Sequence, residues 1–308
     1  VKNVVIIPIY HPDNKFLRLL DRLKIQQNIT FDIYIIDSDY DTDFEFYKDH
    51  LDGLSTVVKK ISSDEFNHGT TRQKAAKDCA NYPILIYMTQ DAIPANENTL
   101  TNLVKTFDNE KVGCAYGRQL PHLDATILAS RERTFNYLSE SKLKQLSDVK
   151  TLGIKVSFLS DTFAAYRNTV LNEIGNFPND IIMGEDTYVA SKMILEGWIV
   201  AYCADAQVYH SHNYTIMQEF RRYFDIGVFH AREPWIRKHF GQAESEGKKF
   251  LLAEIKYFIM YYPWLLPVMI VHNGIKFIGY RLGLKENNLS LRIKQRCSMM
   301  PNYWKNKE

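Results

Sequence analysis

A handful of side chains fall where residues of their type do chemistry. Asp91 follows the apolar run from Ile84 to Met88 and precedes Ile93 and Pro94, which places it just beyond the end of a strand. In an open α/β sheet, strand ends and helix N-termini converge there, so a carboxylate at this point stands where ligand groups are placed. Asp37, Ser38 and Asp39 close a second run, Phe31 to Ile36, and their acceptors suit the donors of a base or a sugar. Glu185 and Asp186 stand behind Gly184 and open the helical spacing of Val189, Met193, Ile194 and Trp198. A helix N-terminus lowers the pKa of a carboxylate and a dry cleft raises it, which makes this pair a source for a general base. His210 and His212 alternate across a strand end or sit in a loop, close enough for one of them to reach a metal or a phosphate. Each feature has a plainer reading beside it: a turn aspartate, a helix cap, a solvated loop, a core histidine.

The elements that must hold these groups repeat regularly. Val4 to Ile9 reads as a strand ending in a loop that Pro8 and Pro12 stiffen, with Tyr10 and His11 between them. Asn14 can cap the next helix, which carries Leu17, Leu20 and Leu23. Then come strand Phe31 to Ile36, helix Asp43 to Leu51, strand Thr56 to Ile61, a helix from about Thr70 to Cys79 and the strand before Asp91. Further on, a loop and strand over 156–167 lead to a short helix from Asn168 to Ile174, and a strand from Ile199 to Cys203 follows the helix behind Asp186. Strands alternating with helices in this way predict an α/β fold with a mostly parallel, Rossmann-like sheet flanked by helices. No GxGxxG follows the first strand and no GxxxxGK(S/T) occurs, which excludes the usual dinucleotide fold and a P-loop ATPase.

Composition narrows the partners. The 308 residues are 45% apolar, enough for one large domain or a main domain with an attachment. Lys plus Arg number 38 and Asp plus Glu 36, a net charge of +2 that excludes a general nucleic-acid binder. Cys79, Cys114, Cys203 and Cys297 form no CxxC pair, which argues for a reducing compartment and against a cysteine zinc site. The N-terminal apolar run is too short for a signal peptide and reads as a first strand.

Taken together, the Pro8 to Pro12 loop, Asp37-Ser38-Asp39, the stretch Phe66 to Arg72, Thr89-Gln90-Asp91, Gly184-Glu185-Asp186 and the pair at His210 resemble, in order and spacing, the GT-A fold of inverting glycosyltransferases of family 2. Within that family the chain is more similar to bacterial rhamnosyltransferases acting on lipid-linked polysaccharide precursors, over roughly residues 4 to 240. The resemblance implies a nucleotide-sugar part over about 1–118, an acceptor part over about 119–240 and a helical extension over 241–308. It implies that Pro8, Tyr10, Asp37, Asp39, His68, Arg72, Gln90 and Asp91 hold a dTDP-sugar donor. Asp186 matches the family's base, with Glu185 shaping the acceptor pocket. The family's metal motif is Asp-x-Asp; here Thr89 takes the first position and Asp91 keeps the last. Mg2+ or Mn2+ is then expected at Asp91 with help from His210 or His212, since such ions are held largely by the diphosphate. Arg118, Arg131, Arg221 and Arg222 are expected acceptor or phosphate contacts.

The last sixty residues alternate apolar helix with breaks at Pro263 and Pro267, and no charge-free run reaches the roughly 18–20 residues that span a bilayer. Lys248, Lys249, Lys256, Lys276, Arg281 and Lys285 flank the apolar stretches, which suggests attachment in the plane of an anionic membrane. The expectation is a cytoplasmic enzyme held at the inner face of the cell membrane, where a polyprenyl-diphosphate saccharide would be met. A helical pair covering the core, or a homodimer interface, is the other reading of this tail. Among functions, an inactive nucleotide-sugar or glycan binder, a UDP- or GDP-sugar transferase and a nucleotidyltransferase stay open. The last of these would need a glycine-rich basic loop after the first strand, which Pro8 to Pro12 does not supply.

Overall fold

Runs of valine, isoleucine and leucine become strands because their branched side chains pack well on a pleated, doubly covered surface. They form β1 (Asn3–Ile9), β2 (Phe31–Asp37), β3 (Thr56–Lys60), β4 (Ile84–Met88), β5 (Ile93–Pro94), β6 (Val112–Leu120), β7 (Lys142–Lys144), β8 (Phe163–Arg167) and β9 (Ile199–Tyr209). The structure is a computed structural model that describes residues 2–39 and 43–305, all but the side chain of Ser245. Its strands pair in the order β3-β2-β1-β4-β8-β6-β9-β5, with β7 also on β9. β1, β2, β3, β4, β6 and β9 run in one direction, and β8 runs against them between β4 and β6. This is the mostly parallel α/β sheet of the GT-A type that the sequence predicts.

All five residues of β4 are buried, and each large apolar side chain so placed contributes roughly 1.5–3 kcal/mol. The interleaved helices are α1 (Asn14–Lys24), α2 (His68–Asp78), α3 (Thr99–Val104), α4 (Ile127–Asn136), α5 (Val149–Leu152), α6 (Asn168–Glu173) and α7 (Glu185–Leu195). The face of α1 that carries Phe16, Leu19, Leu20 and Leu23 is buried, and Asp13 rather than Asn14 caps it by accepting from Lys15 N. α2 begins two residues earlier than expected because Asn67 accepts from the N–H groups of Gly69 and Thr70 at 3.0 and 3.1 Å. Asp43 to Leu51 is not an α-helix but two 3-10 turns, Phe44–Phe46 and Lys48–Leu51. Asp43 accepts from Glu45 N there, and Tyr47 is drawn into the core against Phe16 at 5.4 Å. β9 continues past Cys203 because a register shift opposite Gly117 and Arg118 absorbs the extra residues and carries the strand to Tyr209.

The chain divides into two compact units. The first comprises Val1–Leu146, Ser157–Asn179 and Glu185–His212 and contains the sheet. The second comprises Ser147–Val156, Asp180–Gly184 and Asn213–Glu308 and contains α5, then α8 (Ile216–Arg232), α9 (Pro234–Phe240), α10 (Ala243–Tyr261) and α11 (Leu266–Gly283). Within it α8 and α11 meet backbone to backbone: a Cβ on Gly227, Gly279 or Gly283 would overlap the carbonyl oxygen of Tyr280, Phe220 or Phe224. No helix among the described residues is long and apolar enough to cross a membrane.

Candidate active site

Because six strands run the same way, their carboxyl ends share one edge, and loops from that edge tie to one another. Tyr10 N donates to Gln90 Oε1 at 2.8 Å and Gln90 Nε2 returns to Tyr10 O at 3.0 Å, joining the loops after β1 and β4. Ser38 donates to Ile9 O through Oγ at 2.9 Å, which joins the loops after β1 and β2. Asp37 is fully buried, its Oδ1 accepting from Asp39 N at 3.1 Å, and Asp39 Oδ2 meets His11 Nδ1 at 2.7 Å. His11 reaches it with φ at 45°, a left-handed backbone that a non-glycine residue adopts at a cost. Pro8 is half-buried and Tyr10 is exposed. The expected nucleotide residues Pro8, Tyr10, Asp37, Asp39 and Gln90 therefore gather on two adjoining strand ends and the neighbouring loop.

At the same edge, β9 ends beside β6, with Leu120 opposite Tyr209, and His210 follows. His210 Nε2 lies 3.5 Å and His212 Nε2 3.8 Å from Asp91 Oδ2, and one ligand atom from each of the three residues falls within 4.8 Å of the others. One carboxylate and two imidazoles are a donor set for a divalent cation, and nitrogen donors suit Mn2+ better than Mg2+. The Oγ1 of Thr89, two residues from Asp91, is buried without a hydrogen-bond partner among the described residues. These residues fit a divalent cation.

A second cluster stands where the antiparallel β8 begins. Arg72, buried on α2, places Nε 2.8 Å from Asp161 Oδ2 and Nη1 3.1 Å from Glu185 Oε1. His68 Nδ1 lies 3.7 Å from the same Glu185 oxygen. Tyr87 holds the Arg72 carbonyl at 2.9 Å and Tyr166 donates to Asp161 Oδ1 at 2.5 Å. Asp186 accepts from Asp161 N at 3.2 Å and from Thr187 N at 2.6 Å. Burial, and after it the charge of Glu185, push Asp186 up to about 6, with both backbone N–H groups and Arg72 pulling the other way. Burial also raises Asp161, against the pull of Arg72. Asp186 is half-buried, and the upward push on its carboxyl suits a general base. The two clusters adjoin: Thr89 N, two residues before Asp91, donates to Thr162 O, next to Asp161, at 3.1 Å.

Sequence comparison finds that residues 4–175 fit the pattern of glycosyl transferase family 2. The chain belongs to that family. It is 41% identical over 311 residues, 99% of this chain and 97% of the relative, to the O-antigen chain rhamnosyltransferase RfbN of Salmonella typhimurium. It is 45% identical over 246 residues, 80% and 78% of the two chains, to the O-antigen chain rhamnosyltransferase WbaN of Salmonella anatum. Among solved structures, a mannosyltransferase of Pyrobaculum calidifontis in complex with GDP-Man and Mn2+ superposes with a TM-score of 0.57 at 19% identity, covering 98% of this chain and 84% of that one. TarS 1-349 of S. aureus in complex with UDP-GlcNAc gives 0.54 at 15% identity, over 93% and 91%. At these identities the likeness to solved structures shows the fold alone.

The remaining expected residues lie on other elements. Arg118 on β6 donates through Nε to Tyr137 O at 3.3 Å, and Arg131 on α4 stacks its guanidinium 5.7 Å from the Phe135 ring. Arg221 and Arg222 are exposed on α8 of the second unit, where Arg222 lies 5.8 Å from the Tyr214 ring. Asp161 was not singled out in the sequence; its signal is an acid just before an apolar strand, and only the antiparallel seat of β8 beside β4 gives it meaning. Gln119, beside Arg118 inside β6, is a polar residue that meets His210. Gly184, which precedes the acid pair, has φ at 81°, and a Cβ there would press to 3.0 Å from the Phe229 ring of its own unit.

Proposed function

We propose that this glycosyltransferase moves L-rhamnose from dTDP-L-rhamnose, with inversion, onto a lipid-linked saccharide during O-antigen chain assembly. The single observation that carries a working transferase is Asp186 raised toward neutrality beside the Asp91, His210 and His212 triad on one sheet edge. The donor sugar and acceptor class rest on the names of the two Salmonella relatives, which match along most or all of the chain.

In this reading the loops carrying Pro8, Tyr10, Asp37, Asp39 and Gln90 bind the base and ribose. Asp91, His210 and His212 would hold Mg2+ or Mn2+, which supplies positive charge for the departing diphosphate. Asp186 takes the proton of the acceptor hydroxyl as its oxygen bonds to the anomeric carbon. The carbon–oxygen bond to dTDP breaks with its electron pair leaving on the diphosphate, so no enzyme nucleophile is needed. Arg72 holds Asp161 and Glu185, and through them shapes the surroundings of the base. Arg118 and Arg131 are assigned to the saccharide or its phosphate.

The second unit is assigned to the membrane face that carries the acceptor. On α10 and α11 and between them, Leu252, Ile259, Met260, Trp264, Phe277 and Ile278 are all more than half exposed, Trp264 at 68%, and Lys248, Lys249, Lys256 and Arg281 share these helices. Apolar surface with a cationic rim suits insertion among anionic headgroups, to which exposed Arg221 and Arg222 would add.

Calorimetric titration with dTDP, UDP and GDP, each with Mn2+ and again with EDTA, tests the donor. Metal-dependent preference for dTDP, together with rhamnose transfer to a lipid-linked acceptor, is expected. Binding of none of the three overturns the reading, and tight dTDP binding without transfer to any lipid-linked saccharide supports an inactive binder instead.

A further inference from the structure

Gln119 sits on β6 with 2% of its surface exposed, an amide in the interior that needs all its partners. Its Nε2 donates to Ser160 Oγ at 3.0 Å. Its Oε1 receives Arg133 Nη1 at 2.5 Å and faces His210 Nδ1 at 3.0 Å. A guanidinium only donates, so the amide atom that meets Arg133 has to be the oxygen. With Oε1 as the acceptor for both neighbours, His210 Nδ1 must carry a hydrogen, and Nε2 is then the unprotonated nitrogen of the neutral ring. That nitrogen is the one 3.5 Å from Asp91 Oδ2. We propose that Gln119, oriented by Arg133, is the positioning residue that fixes the tautomer and ring direction of His210 so that Nε2 ligates the divalent cation. The inference rests on the proposed cation site at Asp91.

The logic is that of a ligating imidazole whose other nitrogen donates to an oxygen, an arrangement that orients the ring and raises its basicity. It gives Arg133 a part separate from the substrate. Arg133 comes from α4, packs 5.8 Å from the Tyr137 ring and meets the Gln119 oxygen that faces His210.

The test is Mn2+ binding by the full chain with saturating dTDP, read from the six-line electron paramagnetic resonance signal of free Mn2+. Gln119→Met keeps volume and removes the acceptor, and is expected to weaken Mn2+ binding about 10–100-fold. Gln119→Glu keeps an acceptor on His210 Nδ1 and is expected to stay within about threefold of the unaltered chain. In a His210→Ala background, Gln119→Met should add no further loss. Should Gln119→Met not fold, Arg133→Met is read in its place, with a loss in the same direction expected. Unaltered affinity in the variant, or the same loss with and without His210, overturns the role of Gln119 while leaving the cation site standing. Failure of the unaltered chain to take up Mn2+ overturns the cation site and this inference together.

Discussion

The backbone N–H of Asp161 donates to Oδ2 of Asp186 at 3.2 Å, so the residue just before β8 holds one oxygen of the acid in the first turn of α7. The other oxygen takes Thr187 N at 2.6 Å. Two fixed donors set the plane of the carboxylate, which leaves its remaining lone pairs in one direction for an incoming proton. Orientation of this kind is what separates a base from a surface acid.

Asp186→Asn keeps those shapes and removes the basicity. Turnover is expected to fall about 100- to 10,000-fold, while dTDP affinity by calorimetry stays unchanged. An Asn variant with full turnover removes Asp186 from the proposed role.

The same acid sets a pH dependence. Asp186 must be unprotonated to accept a proton, so kcat/KM should rise between pH 5 and pH 7 with its midpoint near about 6. Stability moves the opposite way. An acid whose folded pKa is raised above its unfolded value of about 3.9 favours the folded state when protonated. Its contribution is therefore full at low pH, declines as pH rises from about 4 to about 6, and is constant above. A rate profile with no acid limb near that value would rule out the assignment.

Arg72→Lys tests the clamp. One guanidinium meets Asp161 at 2.8 Å and Glu185 at 3.1 Å through separate nitrogens, a fork that a single ammonium does not reproduce. One buried carboxylate loses its partner, and urea unfolding should show a loss of about 3 kcal/mol. Unchanged stability would free Arg72 for the diphosphate instead.

Metal removal has a defined signature. EDTA should abolish transfer and added Mn2+ should restore it, with Asp91→Asn losing most of the response to Mn2+ because the triad then lacks its only carboxylate. Transfer that survives exhaustive chelation would argue against the cation site.

The tail makes its own prediction. Trp264→Glu and Phe277→Glu each replace an exposed apolar side chain worth about 1.5–3 kcal/mol when buried, so each should reduce binding to anionic liposomes about tenfold or more in flotation. Equal flotation by the double variant would leave the apolar surface to a second copy of the chain, visible as a dimer in sedimentation.

Local chemistry made part of this fold and its site legible in the residues alone. Uniform apolar runs made β1, β2 and β4 readable, because a strand covered on both faces needs apolar residues at every position. A proline-bounded acid after β4 and two acids behind Gly184 marked Asp91, Glu185 and Asp186, because turns and helix starts demand particular residues at particular offsets. The same local reading misjudged Asp43 to Leu51, where burial of Tyr47 outweighed helical spacing. The tertiary structure alone decided the partnerships. Asp161 meets Arg72 and Asp186 because β8 runs antiparallel between β4 and β6. His210 reaches Asp91 because β9 continues past its register shift beside β6. Periodicity reports which face of an element is buried, but not which element covers it. Strand order and strand direction are settled by packing between segments far apart in the chain, and the pairing of these charges follows from them.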